Sequence, residues 1–278
     1  LKKIETGYHS IRSQHDYTVV EGTGHVGVGS IVELSNAKVA SLLGLDMVII
    51  ASGGLGSAFD ELAMNIALCK QHRVNVRGVI LNRVYDDKRE MISEYFPKAL
   101  KRWNIPLLGC VPYDSFLSKP SIQDFEALFN TTLLSGAQHH FRHFESVRLS
   151  AGSVDTYKKE MIPNELIITP ASREEIIRAT LDKHREVFAS EGKDFRGGMI
   201  LTGRHPPSEG IIEEIRSVDI PILYAPICSY DAMKKITSFI AKIRLEDILK
   251  IEKAIALVEH HIDFNLLCKP SSCSAIVN

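Results

Sequence analysis

Short apolar runs rich in Val and Ile alternate along this chain with longer stretches whose apolar positions recur at intervals of three and four. The first pattern predicts buried strands and the second amphipathic helices. Lys2 to Gln14 reads as a helix with Ile4, Tyr8 and Ile11 on one face. Tyr17 to Glu21 reads as a buried strand, and a loop with Gly22, Gly24, Gly27 and Gly29 follows it. Ser35 is placed to N-cap a short helix, Asn36 to Leu43, that Gly44 closes. Asp46 to Ala51 is a strand ending in a second loop, Ser52-Gly53-Gly54-Leu55-Gly56. Ser57 to Gln71 is a helix, with Phe59, Leu62, Ala63, Ile66 and Ala67 at helical spacing. Val76 to Leu81 is a strand that runs into Asn82-Arg83. Asp87 to Trp103 is helical, with a break expected near Pro97. Pro106 to Val111 is a strand leading to Pro112-Tyr113-Asp114, and Ser121 to Phe129 is a short helix.

Gln138 to Glu145 is polar and rich in histidine, and the pattern then starts again. Val147 to Leu149, Leu166 to Thr169, Gly198 to Thr202 and Pro221 to Tyr224 read as strands. Ser153 to Lys159, Arg173 to Ala189, Glu209 to Arg216, Tyr230 to Ile240 and Leu245 to His261 read as helices. The boundary is therefore placed between domains 1–138 and 139–278. Alternation of strand and helix predicts an α/β fold with a parallel sheet and helical crossovers. In such sheets ligands gather at the strand C-terminal ends, here Glu21, Ser52, Asn82 and Pro112.

The bulk numbers narrow the classes. The chain has 278 residues, 45% of them hydrophobic, and a formal net charge of -1. That balance gives no electrostatic case for nucleic acid or an anionic membrane surface. Apolar runs such as Met47 to Ala51 are too short to span a bilayer. Five cysteines, Cys69, Cys110, Cys228, Cys268 and Cys273, lack paired spacing, which points to reduced thiols and a cytoplasmic setting. The chain opens with Leu1 and a helix, without a signal peptide, so an upstream segment of a longer protein is expected.

Three readings compete for the glycine loop. Gly22-Thr23-Gly24-His25-Val26-Gly27 fits G-x-G-x-x-G after a predicted strand. A dinucleotide site needs a helix opening within that run and an acidic residue ending the next strand, yet the helix is expected near Asn36 and the next strand ends in Ala51-Ser52. Gly24 to Ser30 also resembles a phosphate loop, but Ile31 follows Ser30 and no lysine supplies the point charge. The third reading uses Glu21 as a carboxylate that approaches Mg²⁺, the phosphate cradle lying on another strand.

Val19-Val20-Glu21-Gly22-Thr23-Gly24 resembles the V-E-G-A-G stretch of the dethiobiotin synthetase family, and Gly54-Leu55-Gly56 and Gly78-Val79-Ile80-Leu81-Asn82-Arg83 follow in the same order. The resemblance covers roughly residues 1–130 and implies a P-loop-NTPase-like domain binding ATP and Mg²⁺. It implies that Glu21 contacts Mg²⁺, that Gly22, Thr23 and Gly24 border substrate or phosphate, that Asn82 reads the adenine edge, and that Pro112 borders the base. That family's phosphate loop lies upstream of the matching stretch. The second half, from Leu166-Ile167-Ile168-Thr169-Pro170-Ala171-Ser172-Arg173, resembles a DRTGG domain, with Ala171-Ser172-Arg173 standing where Gly-Asp-Arg is expected. Together the halves resemble the N-terminal, non-catalytic part of long phosphate acetyltransferases and cobyrinic acid synthase-like proteins. The resemblance implies a nucleotide-responsive regulatory or interaction module, a homo-oligomer, with an acyltransferase or other protein as partner. The alternative is an ATP- and Mg-dependent carbon–nitrogen ligase.

Other residues carry plainer expectations. His139, His140 and His143 have i, i+4 spacing but read as a solvated linker rather than a metal pair. His260-His261 suits a helix C-terminus. Cys228 reads as a packed thiol and Ser172 as an N-cap. Lys119-Pro120-Ser121 reads as a turn into a helix.

Overall fold

A computed structural model describes residues 1–269; Cys273 and the tail assigned to the second domain from 270 onward lie outside the described residues. The described residues divide into two compact units, 1–114 with 254–269, and 115–253.

In the first unit α1 (Lys2–Arg12) is followed by α2 (Asn36–Leu42), which Ser35 caps through its side chain to the Lys38 N–H. The expected strand Tyr17 to Glu21 does not form. It is irregular, with Tyr17 65% and Val19 80% exposed. A strand needs a ladder partner, and the sheet of this unit is built from other segments. That sheet contains β1 (Met47–Ser52), β2 (Val76–Val84) and β3 (Leu107–Pro112), all parallel and in the order β1-β2-β3. The crossovers are α3 (Ser57–Gln71) and α4 (Asp86–Lys101). Their Phe59, Leu62, Ile66, Phe96 and Leu100 pack on Ile49, Val79 and Leu81. The break expected at Pro97 is absent, and α4 runs through it. An interior proline costs about 3 kcal/mol or more. Ile92, Phe96 and Leu100 are each fully buried on both sides of it, and each contributes about 2 kcal/mol.

The second unit has a five-stranded sheet. Its elements are α5 (Ser115–Ser118), α6 (Ile122–Phe129), β4 (Leu133–Ser135), β5 (Ser146–Leu149), α7 (Val154–Lys159), β6 (Glu165–Pro170), α8 (Glu174–Glu191), β7 (Gly198–Thr202), α9 (Glu209–Arg216), β8 (Ile222–Ala225) and α10 (Ser229–Ser238). The order is β4-β8-β7-β6-β5, with β4 antiparallel and the rest parallel. Position 138 lies inside this unit, in a 3-10 turn at Ala137–His139. One sheet face carries Ile167, Met199 and Leu201 against Ile177, Leu181 and Ile211. The other carries Leu166, Ile168 and Ile200 against Phe125, Ala232 and Ile236.

The chain continues into α11 (Ile248–His261) and α12 (Phe264–Leu267). Leu257, Ile262 and Leu266 cover Ile80, Leu108 and Val111 on the second face of the first sheet. The Asp263 N–H donates to the Leu108 carbonyl at 2.8 Å. Gly109 is required there, because a Cβ would collide with the His261 carbonyl.

The histidine segment is not a solvated linker. His139 meets Asp219 at 3.1 Å, His140 meets Glu126 at 2.7 Å, and His143 meets Asp247 at 2.9 Å. The reason is tertiary: the segment lies against α6 and the sheet, and carboxylates distant in sequence converge on it. His260 and His261 back-bond to the Ala256 and Leu257 carbonyls at a helix end, as expected. Among the described residues no helix is long and apolar enough to cross a membrane.

Candidate functional site

The C-terminal strand ends of the first sheet bring Ser52, Asn82 and Pro112 to one edge. Ser52 is in register with Asn82, and Val84 with Pro112. The Gly53 N–H donates to the Asn82 carbonyl at 3.0 Å. A side chain at Gly53 would lie 2.7 Å from Val84 Cγ2, so the close approach of the two strand ends needs glycine here. The Asn82 side chain is exposed, and its Oδ1 accepts from the Arg83 N–H at 2.9 Å. Its amide N–H groups have no partner among the described residues. Amide donor and carbonyl acceptor side by side match the donor and acceptor of an adenine edge.

Sequence reasoning gave no role to the residues beside Asn82. The register of β2 on β3 shifts between Leu81 and Val84, and Arg83 sits in the left-handed region at φ 59. The Arg83 guanidinium lies 5.7 Å from the Tyr113 ring centroid. The Tyr85 and Tyr113 rings lie 4.8 Å apart at 34°. An arginine carries no sequence signal for this backbone, unlike a glycine at the same place.

The glycine loop is positioned separately. Asn36 Nδ2 donates to the Thr23 carbonyl at 3.0 Å and the His25 carbonyl at 2.9 Å. Gly22 lies against that carboxamide, and Gly24 takes φ +63. Val26 is buried, and its N–H donates to Asn65 Oδ1 at 3.2 Å, pinning the loop to α3. The helix after the loop opens at Asn36, not within the glycine run, against the geometry of a dinucleotide site. Glu21 is exposed and has no hydrogen bond or ion pair among the described residues. No hydrogen bond or ion pair there joins Glu21 to Gly24 with Asn82 or Pro112. A single free carboxylate fits Mg²⁺ that keeps waters and phosphate oxygens as its other ligands. Among the described residues no group of three or more His, Cys, Asp or Glu is arranged to cage a metal. A depression of about 210 Å³ lined by Ser30, Glu33, Ser35, Lys38 and His72 contains none of the expected site residues.

In the second unit, Arg173 rather than Ser172 caps α8, and without a side-chain bond. Arg173 instead donates to the Gly152 carbonyl at 2.8 Å and to Glu175 at 2.7 Å, tying the turn to the loop after β5. That guanidinium holds the Glu175 carboxyl below the usual carboxylate range. Cys228 is exposed at the N-cap of α10, and its thiol donates to Asp231 at 3.1 Å. It is not the packed thiol expected, because Ile227 and Ala232 fill the core on either side of it. Ser121 does open α6, through a capping box with Asp124.

The AAA domain family matches residues 1–121, and the DRTGG domain family matches residues 127–239. A phosphate acetyltransferase of Nitratidesulfovibrio vulgaris is 26% identical over 95% of this chain and 38% of its own length. A probable cobyric acid synthase of Methanosphaera stadtmanae is 25% identical over 64% of this chain and 33% of its own length. The chain thus spans well under half the length of these relatives. A solved structure of the CBS and DRTGG domains of the regulatory region of Clostridium perfringens pyrophosphatase, complexed with the activator diadenosine tetraphosphate, is 15% identical, with a TM-score of 0.36 over 77% of this chain and 86% of that one. The chain thus matches an AAA domain followed by a DRTGG domain, and is similar to phosphate acetyltransferases and to a probable cobyric acid synthase.

Proposed function

We propose that this chain is a nucleotide-responsive regulatory or interaction module within a longer phosphate acetyltransferase-like protein. The observation that carries the reading is the pairing of an AAA domain with a DRTGG domain in a chain similar to phosphate acetyltransferase over 95% of its length. The exposed Asn82 amide at a strand end supports a base-reading role, with Pro112 beside it. Glu21 would hold Mg²⁺, and Gly22, Thr23 and Gly24 would border phosphate or substrate. The module works as a homo-oligomer in a cytoplasmic setting, with an acyltransferase as its protein partner.

Calorimetric titration with ATP and Mg²⁺ tests this reading, with NAD as control ligand and Asn82→Ala as comparison. Micromolar ATP binding that Asn82→Ala abolishes supports it. Tighter binding of NAD than of ATP overturns it.

The similarity to a probable cobyric acid synthase favours a second reading, an ATP-dependent carbon–nitrogen ligase. That reading predicts release of phosphate from ATP that depends on a carboxylate substrate and an amino donor. The regulatory reading predicts binding without turnover.

A further inference from the structure

We propose that Arg83 and Tyr113 form a stacking platform that receives the face of a purine base, beside the Asn82 amide that reads its edge. The inference deepens the nucleotide reading above and rests on it. Three observations converge. The register shift in β2 and the left-handed backbone at Arg83 turn two consecutive residues, Asn82 and Arg83, out to solvent. In an uninterrupted strand, consecutive side chains point to opposite faces. Bulges of this kind re-aim side chains at sheet ends. A non-glycine residue at positive φ is strained, and the surroundings must hold it there.

The surroundings are visible. The Tyr113 N–H donates to the Val84 carbonyl at 2.9 Å, fixing the tyrosine beside the turn. Its half-buried ring backs the Arg83 guanidinium, and Tyr85, 46% exposed, packs against that ring. The guanidinium is thereby held on its inner side, while the residue stays exposed. A planar cation held this way stacks on an aromatic base without first being ordered. A base lying on it would have its edge within reach of the neighbouring carboxamide of Asn82. The ligand class is a purine nucleotide, read by stacking as well as by hydrogen bonds.

Arg83→Gly is the informative variant, because glycine accepts φ 59 without strain. It removes the platform and keeps or raises the melting temperature. Binding of ATP to the whole chain is measured for wild type, Arg83→Gly, Arg83→Lys and Tyr113→Leu, with inorganic triphosphate as the probe lacking a base. The expected result is ATP binding about tenfold weaker in all three variants. Triphosphate binding stays unchanged. Lysine rescuing ATP binding would mean a point charge serves phosphate, and would overturn the platform. So would wild-type ATP binding in Arg83→Gly. If no adenine nucleotide binds the wild-type chain, the nucleotide reading itself fails, and the platform with it.

Discussion

The Nε2 atom of His143 lies 2.9 Å from Oδ2 of Asp247, and the two residues are only 7% and 3% exposed. The other ring nitrogen, Nδ1, lies 3.2 Å from the Pro120 carbonyl, so both nitrogens of the imidazole face acceptors. Lys250, fully buried, donates to the Lys119 carbonyl at 2.5 Å, and Arg244 reaches Asp124 at 2.8 Å. The first turn of α11 and the segment before it are therefore fastened to the start of α6 and the turn ahead of it by polar bonds inside the second unit.

Removing one partner of a buried pair leaves the other unpaired, at a cost of about 3 kcal/mol or more. Asp247→Ala should lower stability by about that amount in urea denaturation. His143→Ala combined with Asp247→Ala should cost clearly less than the sum of the two single changes. Strict additivity would show that the pair does not interact.

His184 supplies a pH dependence of known sign. Burial pushes its imidazole below the ordinary histidine range, with Asp194 pulling partly the other way and Arg142 and His139 adding to the depression. Its Nδ1 is buried without a hydrogen bond. The neutral form is favoured in the folded chain, so the unfolded chain takes up this proton at a higher pH. The contribution is whole above the unfolded value of about 6.5 and is lost as pH falls. Denaturation midpoints of wild type and His184→Gln, measured from pH 8 down to about pH 5, should converge as the solution is acidified. Parallel curves would show that His184 carries no such linkage.

The thiols should separate by reactivity. Cys69 is fully buried, and burial pushes its thiol up to about 11. Cys228 and Cys268 are exposed. A native-state alkylating reagent read by peptide mass should modify Cys228 quickly and Cys69 only after denaturant is added. Equal rates for the two would contradict the packing described.

Gly53 offers a test of the strand-end geometry. Gly53→Ala would place a methyl 2.7 Å from Val84 Cγ2 and 2.9 Å from Val84 Cα. Crowding of this kind costs about 1–3 kcal/mol. Gly210→Ala, inside α9, meets nothing within 4 Å and should be silent or slightly stabilising. Thermal melts of the two variants make the comparison.

Periodicity was a good guide where one segment decides its own fate. Ser57 to Gln71, Gly198 to Thr202 and Glu209 to Arg216 have the bounds that their spacing predicts. It failed where a partner decides. Tyr17 to Glu21 has strand composition and no ladder, while Leu133 to Ser135, too short to show a period, is a strand because β8 lies beside it. Pro97 reads as a breaker until the core on both sides of it is known. Of the candidate site, the placement of Asn82 near a strand end was legible, but the left-handed turn at Arg83 leaves no trace in the residue type. His143 and Asp247 are 104 positions apart, beyond any local pattern.

The outer edge of β1 has no pairing partner among the described residues, and Ile50 on it is 66% exposed. An open apolar strand is a template on which another chain can add. Concentrated stocks of this polypeptide will therefore cloud on salting before they lose native structure, as a colloidal matter rather than a thermal one. Ile50 belongs to none of the buried clusters. A lysine placed there would act as a gatekeeper on the surface and leave the interior alone, so shelf life and melting temperature can be adjusted independently.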